Sequence, residues 1–325
     1  MSFWLFKKKG DRRRKIRISI GAKLISIISL TIIIALSSMI ILATLFFRGD
    51  NEKRIFENNL EISRVIQLKV KTDFKSILKM ANYTASSVVL DKNKVNLSDV
   101  SNRFFSKEKD ILFVGIGEKK NKIISLKHSL YNTTFLKKNK ISIRSIMRSI
   151  ALKKNLFLKS FRSEQIVDNI SLLLKIPAIA ISVPFIKRNE IEASSIIIIY
   201  VSMNQFLEAV KSPGEVKSFI VNNDGDLLAH HDSSLVLADV NFRKLGIVSM
   251  MLKSPVDNGF RRFKDSKGVW HLGSYWKLGF GGVGVISTVQ EDVAFEAVTR
   301  IQKRNILITI IVLNLAILII YFYAK

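Results

Sequence analysis

Residues 219–234, FIVNNDGDLLAHHDSS, set two short apolar runs on either side of Asp224-Gly225 and end on two histidines and an aspartate. Asp-Gly suits the positive φ of a tight hairpin corner, so the stretch reads as two antiparallel strands joined by a turn. Neighbouring strand residues point to opposite faces, so His230 and His231 are not expected to reach one ion together. Only His128 and His271 remain, and with no cysteine in the chain no metal site is expected. Asp224, Gly225, His230 and Asp232 are therefore read as structural: a corner, then a His-x-Asp that ends the strand and caps the next turn.

Moving outward, RRFKDSKGVWHLGSYWKL (261–278) repeats the hairpin around Asp265-Ser266-Lys267-Gly268, and VGVISTVQ (283–290) supplies a further strand. Residues 213–290 thus form one small antiparallel-sheet module. Upstream, DILFVGIG (110–117) and KIISLKHSL (122–130) flank a turn at Glu118-Lys119-Lys120-Asn121. AIAISVPFI (178–186) and SSIIIIYVSM (194–203) flank KRNEIEA. Between the pairs, SIRSIMRSIALKKN (142–155) has helical spacing, and NQFLEAVKS opens a helix after them. Residues 98–212 make a second module of the same kind. Before it, Ile55, Leu60, Ile62, Ile66, Val70, Phe74, Ile77, Leu78 and Ala81 recur at three- and four-residue steps in a run free of Gly and Pro. That run is an amphipathic helix of about 35 residues, on the order of 50 Å long at 1.5 Å per residue, within residues 48–97. The fold class is α+β: a long N-terminal helix and two antiparallel-sheet modules, flanked by two transmembrane helices.

Those flanks are two charge-free runs, LISIISLTIIIALSSMIILATLFF over 24–47 and NILITIIVLNLAILIIYFYA over 305–324. Each meets the roughly 20 apolar residues that a spanning helix needs. The first greatly exceeds the 7–15 residues of a signal h-region and is expected to stay as an anchor. Residues 1–23 carry nine Lys/Arg against one Asp, a flank that holds the amino terminus in the cytoplasm. Two spans then leave residues 48–304 extracytoplasmic and bring both termini inside. The expected location is the cytoplasmic (inner) membrane. Residues 291–304, with no Gly or Pro after Gly284, are expected to run as a connecting helix unbroken into the second span.

The formal charge of +26 does not point to nucleic acid. The middle region holds 42 basic and 25 acidic residues, but its lysines are scattered among Ile and Asn without an Arg-rich stripe. G-x-G-x-x-G at Gly279–Gly284 has a strand after it where a dinucleotide site needs a helix, so it reads as a glycine-rich loop and no cofactor is expected. Neither a G-x-S-x-G elbow nor a Ser-His-acid set is present, and an enzyme is not expected within these residues. Asn314, near the middle of the second span, either packs across a helix–helix contact in a dimer or bonds its own helix.

The order of elements, with N-D-G-D/L-L-A-H/x-D at 223–232 and Y-W-K-L-G-F-G-G-V-G-V-I-S-T-V-x-E-D at 275–292, resembles the double Cache sensor region of bacterial transmembrane receptors. Residues 219–325 look most like the sensory part of adenylate/guanylate cyclases and are also similar to methyl-accepting chemoreceptors. The resemblance implies two stacked PAS-like modules, a small-molecule ligand in the membrane-distal one (98–212), and transmembrane signalling to a cyclase or chemotaxis output; a homodimer is expected from the polar residues of the spans. The Tyr, Arg, Trp-Tyr, Asp pattern of its amino-acid-binding subgroup is not found, since residues 85–212 contain no Trp. Arg144, Arg148, Phe157, Phe161, Arg162 and Asp168 lie between the two distal strand pairs, where a pocket over the sheet has its lid, and are the expected ligand contacts. The alternatives are a ligand-free membrane-anchored scaffold or a receptor remnant acting with a separate output protein.

Overall fold

The computed structural model describes residues 20–90, 97–120, 123–186, 194–211 and 214–324. The basic tail up to residue 19, Asn121 in the first distal turn and the KRNEIEA segment lie outside them. The chain divides into two units, Glu52–Phe295 and, separately, Met1–Asn51 with Glu296–Lys325.

Helix α1 runs from Ile20 to Leu90 without a break at Gly49. One interior glycine costs about 1 kcal/mol against alanine, too little to interrupt so long a run of helix formers. Among the described residues two helices are long and apolar enough to cross a membrane, within Lys23–Val88 and Val298–Ile319, and none of either apolar window is buried. Leu24, Phe46, Leu307 and Leu315 are each at least 59% exposed, which separates these runs from the buried core helix of a soluble protein.

In the unit Glu52–Phe295, the first module begins with α2 (Leu97–Lys107), β1 (Ile111–Lys120) and β2 (Ile123–Tyr131). Three short helices follow, α3 (Thr133–Lys138), α4 (Ile143–Leu152) and α5 (Lys154–Phe157), then a 3-10 turn at Leu158–Arg162. β3 (Ile166–Asn169), α6 (Ser171–Leu174), β4 (Ala178–Phe185) and β5 (Ser195–Ser202) complete it. α7 (Asn204–Val210) links to the second module, which opens with β6 (Lys217–Val221), β7 (Leu227–His230), α8 (Ser233–Leu237) and α9 (Gly246–Lys253). β8 (Asn258–Lys264), β9 (Trp270–Lys277) and β10 (Gly284–Gln290) finish the sheet.

Both sheets are five-stranded and antiparallel, and both use one order. It is β2-β1-β5-β4-β3 in the first and β7-β6-β10-β9-β8 in the second, so each module pairs its own first and last strands at the centre. The continuous apolar run of β5 follows from this placement, because a central strand buried on both faces has no polar side to alternate with. One face of the first sheet (Ile179, Ile181, Ile197, Ile199) packs on Ile66, Val70, Phe74, Ile77 and Ala81 of α1. The other (Ala178, Ala180, Ile196, Ile198, Tyr200) is covered by Leu136, Ile146, Ile150 and Phe157 from the short helices. Phe74 sits between Phe206 of α7 and Phe280, with ring centroids 5.2 and 5.7 Å away.

Two features depart from the sequence reading. The apolar face of α1 also carries Asn59, Ser63 and Gln67, all at most 5% exposed, spaced four apart and hydrogen-bonded to β9. The helix after β10 is not continuous: α10 (Glu291–Ala294) and α11 (Glu296–Ala324) are separated at Phe295, whose φ of −97° and ψ of 4° lie outside the helical well. The break falls on an aromatic residue that is only 9% exposed, so no Gly or Pro marks it in the letters.

Candidate functional site

The first module's covered face builds its polar centre from four elements. Asp168 sits on edge strand β3, 4% exposed, with its Oδ2 2.7 Å from Lys153 Nζ at the α4–α5 junction. Burial pushes the Asp168 carboxyl above its usual range, and Lys153 opposes that shift. Beside them the Ser149 hydroxyl donates to Ile146 O at 2.7 Å, which leaves Tyr200 OH to donate to Ser149 Oγ, also at 2.7 Å. Burial raises the Tyr200 hydroxyl further above its ordinary value, so it stays protonated. Ser182, on β4 and facing the same way as Ala178 and Ala180, is fully buried, and its Oγ has no hydrogen-bond partner among the described residues.

Of the six expected ligand contacts, three converge on this face. Phe157 is fully buried in its core, Phe161 packs on that core, and Asp168 supplies its charge. Arg144 and Arg148 lie on the exposed side of α4, and Arg162 is exposed at the end of the 3-10 turn, so none of the three arginines lines it. Sequence reading missed Ser149, Lys153, Ser182 and Tyr200. Ser149 sits at a core position of α4, and Ser182 and Tyr200 fall inside apolar strand runs, so only the strand alternation could have placed them on the face of Asp168.

β3 also joins this face to the second module. Asn169, next to Asp168 and pointing the other way, donates to Leu227 O (3.0 Å) and Val236 O (2.9 Å) and accepts from Ser171 N (2.8 Å). Asn222 Nδ2 donates to Val167 O at 3.3 Å. The glycine loop closes against the same strand: a Cβ on Gly281 would come within 2.7 Å of Val167 Cγ2. A cleft of about 340 Å³ lies along this seam, lined by Lys159, Gln165, Asn222, Asn223 and Gly282.

The Asp224-Gly225 corner is held by Asn222, whose Oδ1 accepts from the N–H groups of Asp224 and Asp226, both at 2.9 Å. Gly225 has φ +84°. Asp232 caps α8 by accepting from Ser234 N at 3.0 Å. His230 Nδ1 accepts from Asp232 N at 3.0 Å, which places the ring proton on Nε2. The two histidines do not diverge as strand alternation implies. β7 ends at His230, and the His231 ring turns back to lie with its centroid 4.0 Å from that of His230. Burial, then the neighbouring His231, lowers the His230 pKa to about 4, so the ring is neutral at pH 7. They border a cleft of about 490 Å³ with Asn204, Glu208 and Lys211. Among the described residues no three His, Asp or Glu side chains are placed to hold a metal ion. Asn314 donates to Ile310 O, the bond within its own helix.

No protein-family model matches the chain, and no curated protein does. Several solved structures are similar in fold. The sensory domain of the Campylobacter jejuni chemoreceptor Tlp3 (CcmL) is 15% identical, with 77% of this chain and 98% of that one covered and a TM-score of 0.49. The ligand-binding domain of the Pseudomonas fluorescens chemoreceptor CtaA, in complex with L-leucine, is 12% identical, with 76% and 98% covered and a TM-score of 0.49. The extracellular domain of the histidine kinase soHK1S-Z6, described as putative, is 14% identical, with 77% and 99% covered and a TM-score of 0.48.

Proposed function

We propose that this chain is the sensor portion of a transmembrane receptor of the double Cache type, which binds a small molecule outside the cytoplasm and passes the event through the membrane to a chemotaxis-type or cyclase-type output. In this reading residues 48–304 are extracytoplasmic, both termini are cytoplasmic, and two copies pair in the membrane. The observation that carries it is the twin use of one strand order in two sheets between two apolar helices. The distal face suits a ligand, because Asp168 and the unpartnered Ser182 Oγ share it with Lys153 and the Tyr200 hydroxyl. A ligand completing the Ser182 hydroxyl gains a hydrogen bond that the free protein leaves unmade. Such a ligand carries a donor or acceptor for a neutral hydroxyl and a group that can share the Lys153–Asp168 pair. Binding shifts the receptor only by the difference in affinity for its two states.

The test is a thermal-shift screen of the purified chain against amino acids, organic acids, amines and nucleosides. A ligand at a hundred times its Kd adds about 2.7 kcal/mol. For a unit of this size that is a rise in Tm of about 5 °C or more. Ser182→Ala is expected to lower the affinity of the hit about tenfold while leaving the ligand-free Tm within about 2 °C. No stabilising compound in the panel counts for the ligand-free scaffold instead.

A further inference from the structure

The second module's β8–β9 hairpin is joined to both helices that lead towards the apolar segments. On one side β9 is fixed to α1. Asn59 Nδ2 donates to Leu272 O (3.4 Å), Ser63 Oγ meets Ser274 Oγ (2.9 Å), Gln67 Nε2 donates to Lys277 O (3.1 Å), and Trp276 Nε1 donates to Leu60 O (3.0 Å). Phe56 and Phe260 add a ring contact at 4.5 Å. Helical residues four apart advance about 6 Å, close to the two-residue step of a strand, so Asn59 and Ser63 meet Leu272 and Ser274 in one register, while Gln67 reaches Lys277 three residues further on.

On the other side the hairpin reaches α10 through Arg262. Its guanidinium grips the Glu291 carboxylate with both prongs, Nε to Oε2 at 2.6 Å and Nη2 to Oε1 at 3.0 Å. The same guanidinium stacks over Trp270 at 4.0 Å, with Lys264 over that ring at 4.8 Å. Glu291 is the first residue of α10 and only 8% exposed, while its N-cap, Gln290, makes no side-chain capping bond. The hairpin itself is stiff. Asp265 Oδ1 accepts from Lys267 N and Val269 N in the turn, and its Oδ2 lies 3.1 Å from His271 Nε2. Phe263 stacks on His271. Arg262 thus projects from a braced edge strand, across β9, onto the one-turn helix that precedes the break at Phe295.

We propose that Arg262, stacked on Trp270, is a latch: it holds α10 to the sheet through Glu291, so that a movement of α1, shared by the β8–β9 hairpin fixed to it, is carried into α10 and delivered at the Phe295 joint. Arg262 and Glu291 are positioning residues in signalling, and the inference rests on the receptor reading above. A one-turn helix does not hold itself together in water, so the pair, with the burial of Phe295, decides whether α10 moves with the sheet or frays from it.

The test is hydrogen exchange on the full-length chain in lipid nanodiscs, comparing Arg262→Gln, Glu291→Gln, the conservative Arg262→Lys and the swap Arg262→Glu/Glu291→Arg. In the first two, amides 292–296 are expected to exchange about tenfold faster while β4 and β5 keep their protection, which shows that the fold is intact. Arg262→Lys is expected to fall between, since an ammonium cannot make the two-pronged contact. The swap is expected to restore slow exchange, which loss of packing alone would not allow. Unchanged exchange in both single variants, or a swap no slower than the singles, overturns the latch. These outcomes need no ligand and no output, so they separate failure of the latch from failure of the sensor reading, which the thermal-shift screen decides.

Discussion

Replacing Lys153 with methionine is expected to destabilise the unit Glu52–Phe295 by about 3 kcal/mol, at the low end of the 3–5 kcal/mol for breaking a buried ion pair because Lys153 keeps some contact with water. The side chain of Asp168 is 5% exposed and that of Lys153 is 29% exposed. Methionine retains most of the stem, so the loss reports the charge rather than a cavity. Asp226 and Asp239 add to the effect: both push the Asp168 carboxyl upward, and Lys153 opposes the rise at Asp239 as well as at Asp168. Without the lysine, a buried carboxylate faces two like charges and no longer has its ammonium. Urea unfolding of the single variants Lys153→Met and Asp168→Asn, and of the double variant, measures the pair. The double variant is expected to recover about 1.5 kcal/mol or more relative to the sum of the singles. A Lys153→Met loss below about 0.5 kcal/mol, with no coupling, would show that the contact is incidental to the distal face.

Gly225→Ala is expected to cost a similar amount, about 3 kcal/mol, for a different reason. Gly225 holds φ +84°, where an L side chain costs roughly 1–2 kcal/mol. A Cβ there would also come within 2.8 Å of Arg243 N and Cα, and backbone atoms have no rotamer by which to retreat. Overpacking of this sort adds about 1–3 kcal/mol. Gly268→Ala is the control. It has φ +80° in the equivalent corner of the β8–β9 hairpin but nothing within 4 Å, and is expected to lose only about 1 kcal/mol. Equal losses in the two variants would mean that the close approach of Arg243 plays no part.

Much of the architecture can be read from local letters because its signals are local. Strand alternation, Asp-Gly and Ser-Lys-Gly corners and the two charge-free runs each need only a dozen or two residues of context, and the hairpins, the central strands and both apolar helices occur where those signals stand. The distal site was harder to read. Phe157 and Asp168 could be placed between the strand pairs, but an arginine on a helix has no letter that says which way it faces, and Arg144, Arg148 and Arg162 point outward. Lys153 resembles every other lysine in the chain until β3 brings Asp168 beneath it. The polar row Asn59, Ser63 and Gln67 interrupts an apolar stripe and reads as a flaw in the helix, because its partners on β9 lie more than 200 residues away. The break at Phe295 carries no Gly or Pro.

Whether the two sheets stand outside the cytoplasm, as a receptor requires, is open to direct measurement because the chain contains no cysteine. Single cysteines at Lys159→Cys, exposed in the first module, and at Ser2→Cys in the basic tail are treated with a membrane-impermeant maleimide. Lys159→Cys is expected to be labelled in intact spheroplasts and Ser2→Cys only after the membrane is opened. Labelling of Ser2→Cys in intact spheroplasts, with Lys159→Cys reached only after lysis, would put the sheets in the cytoplasm and contradict the receptor.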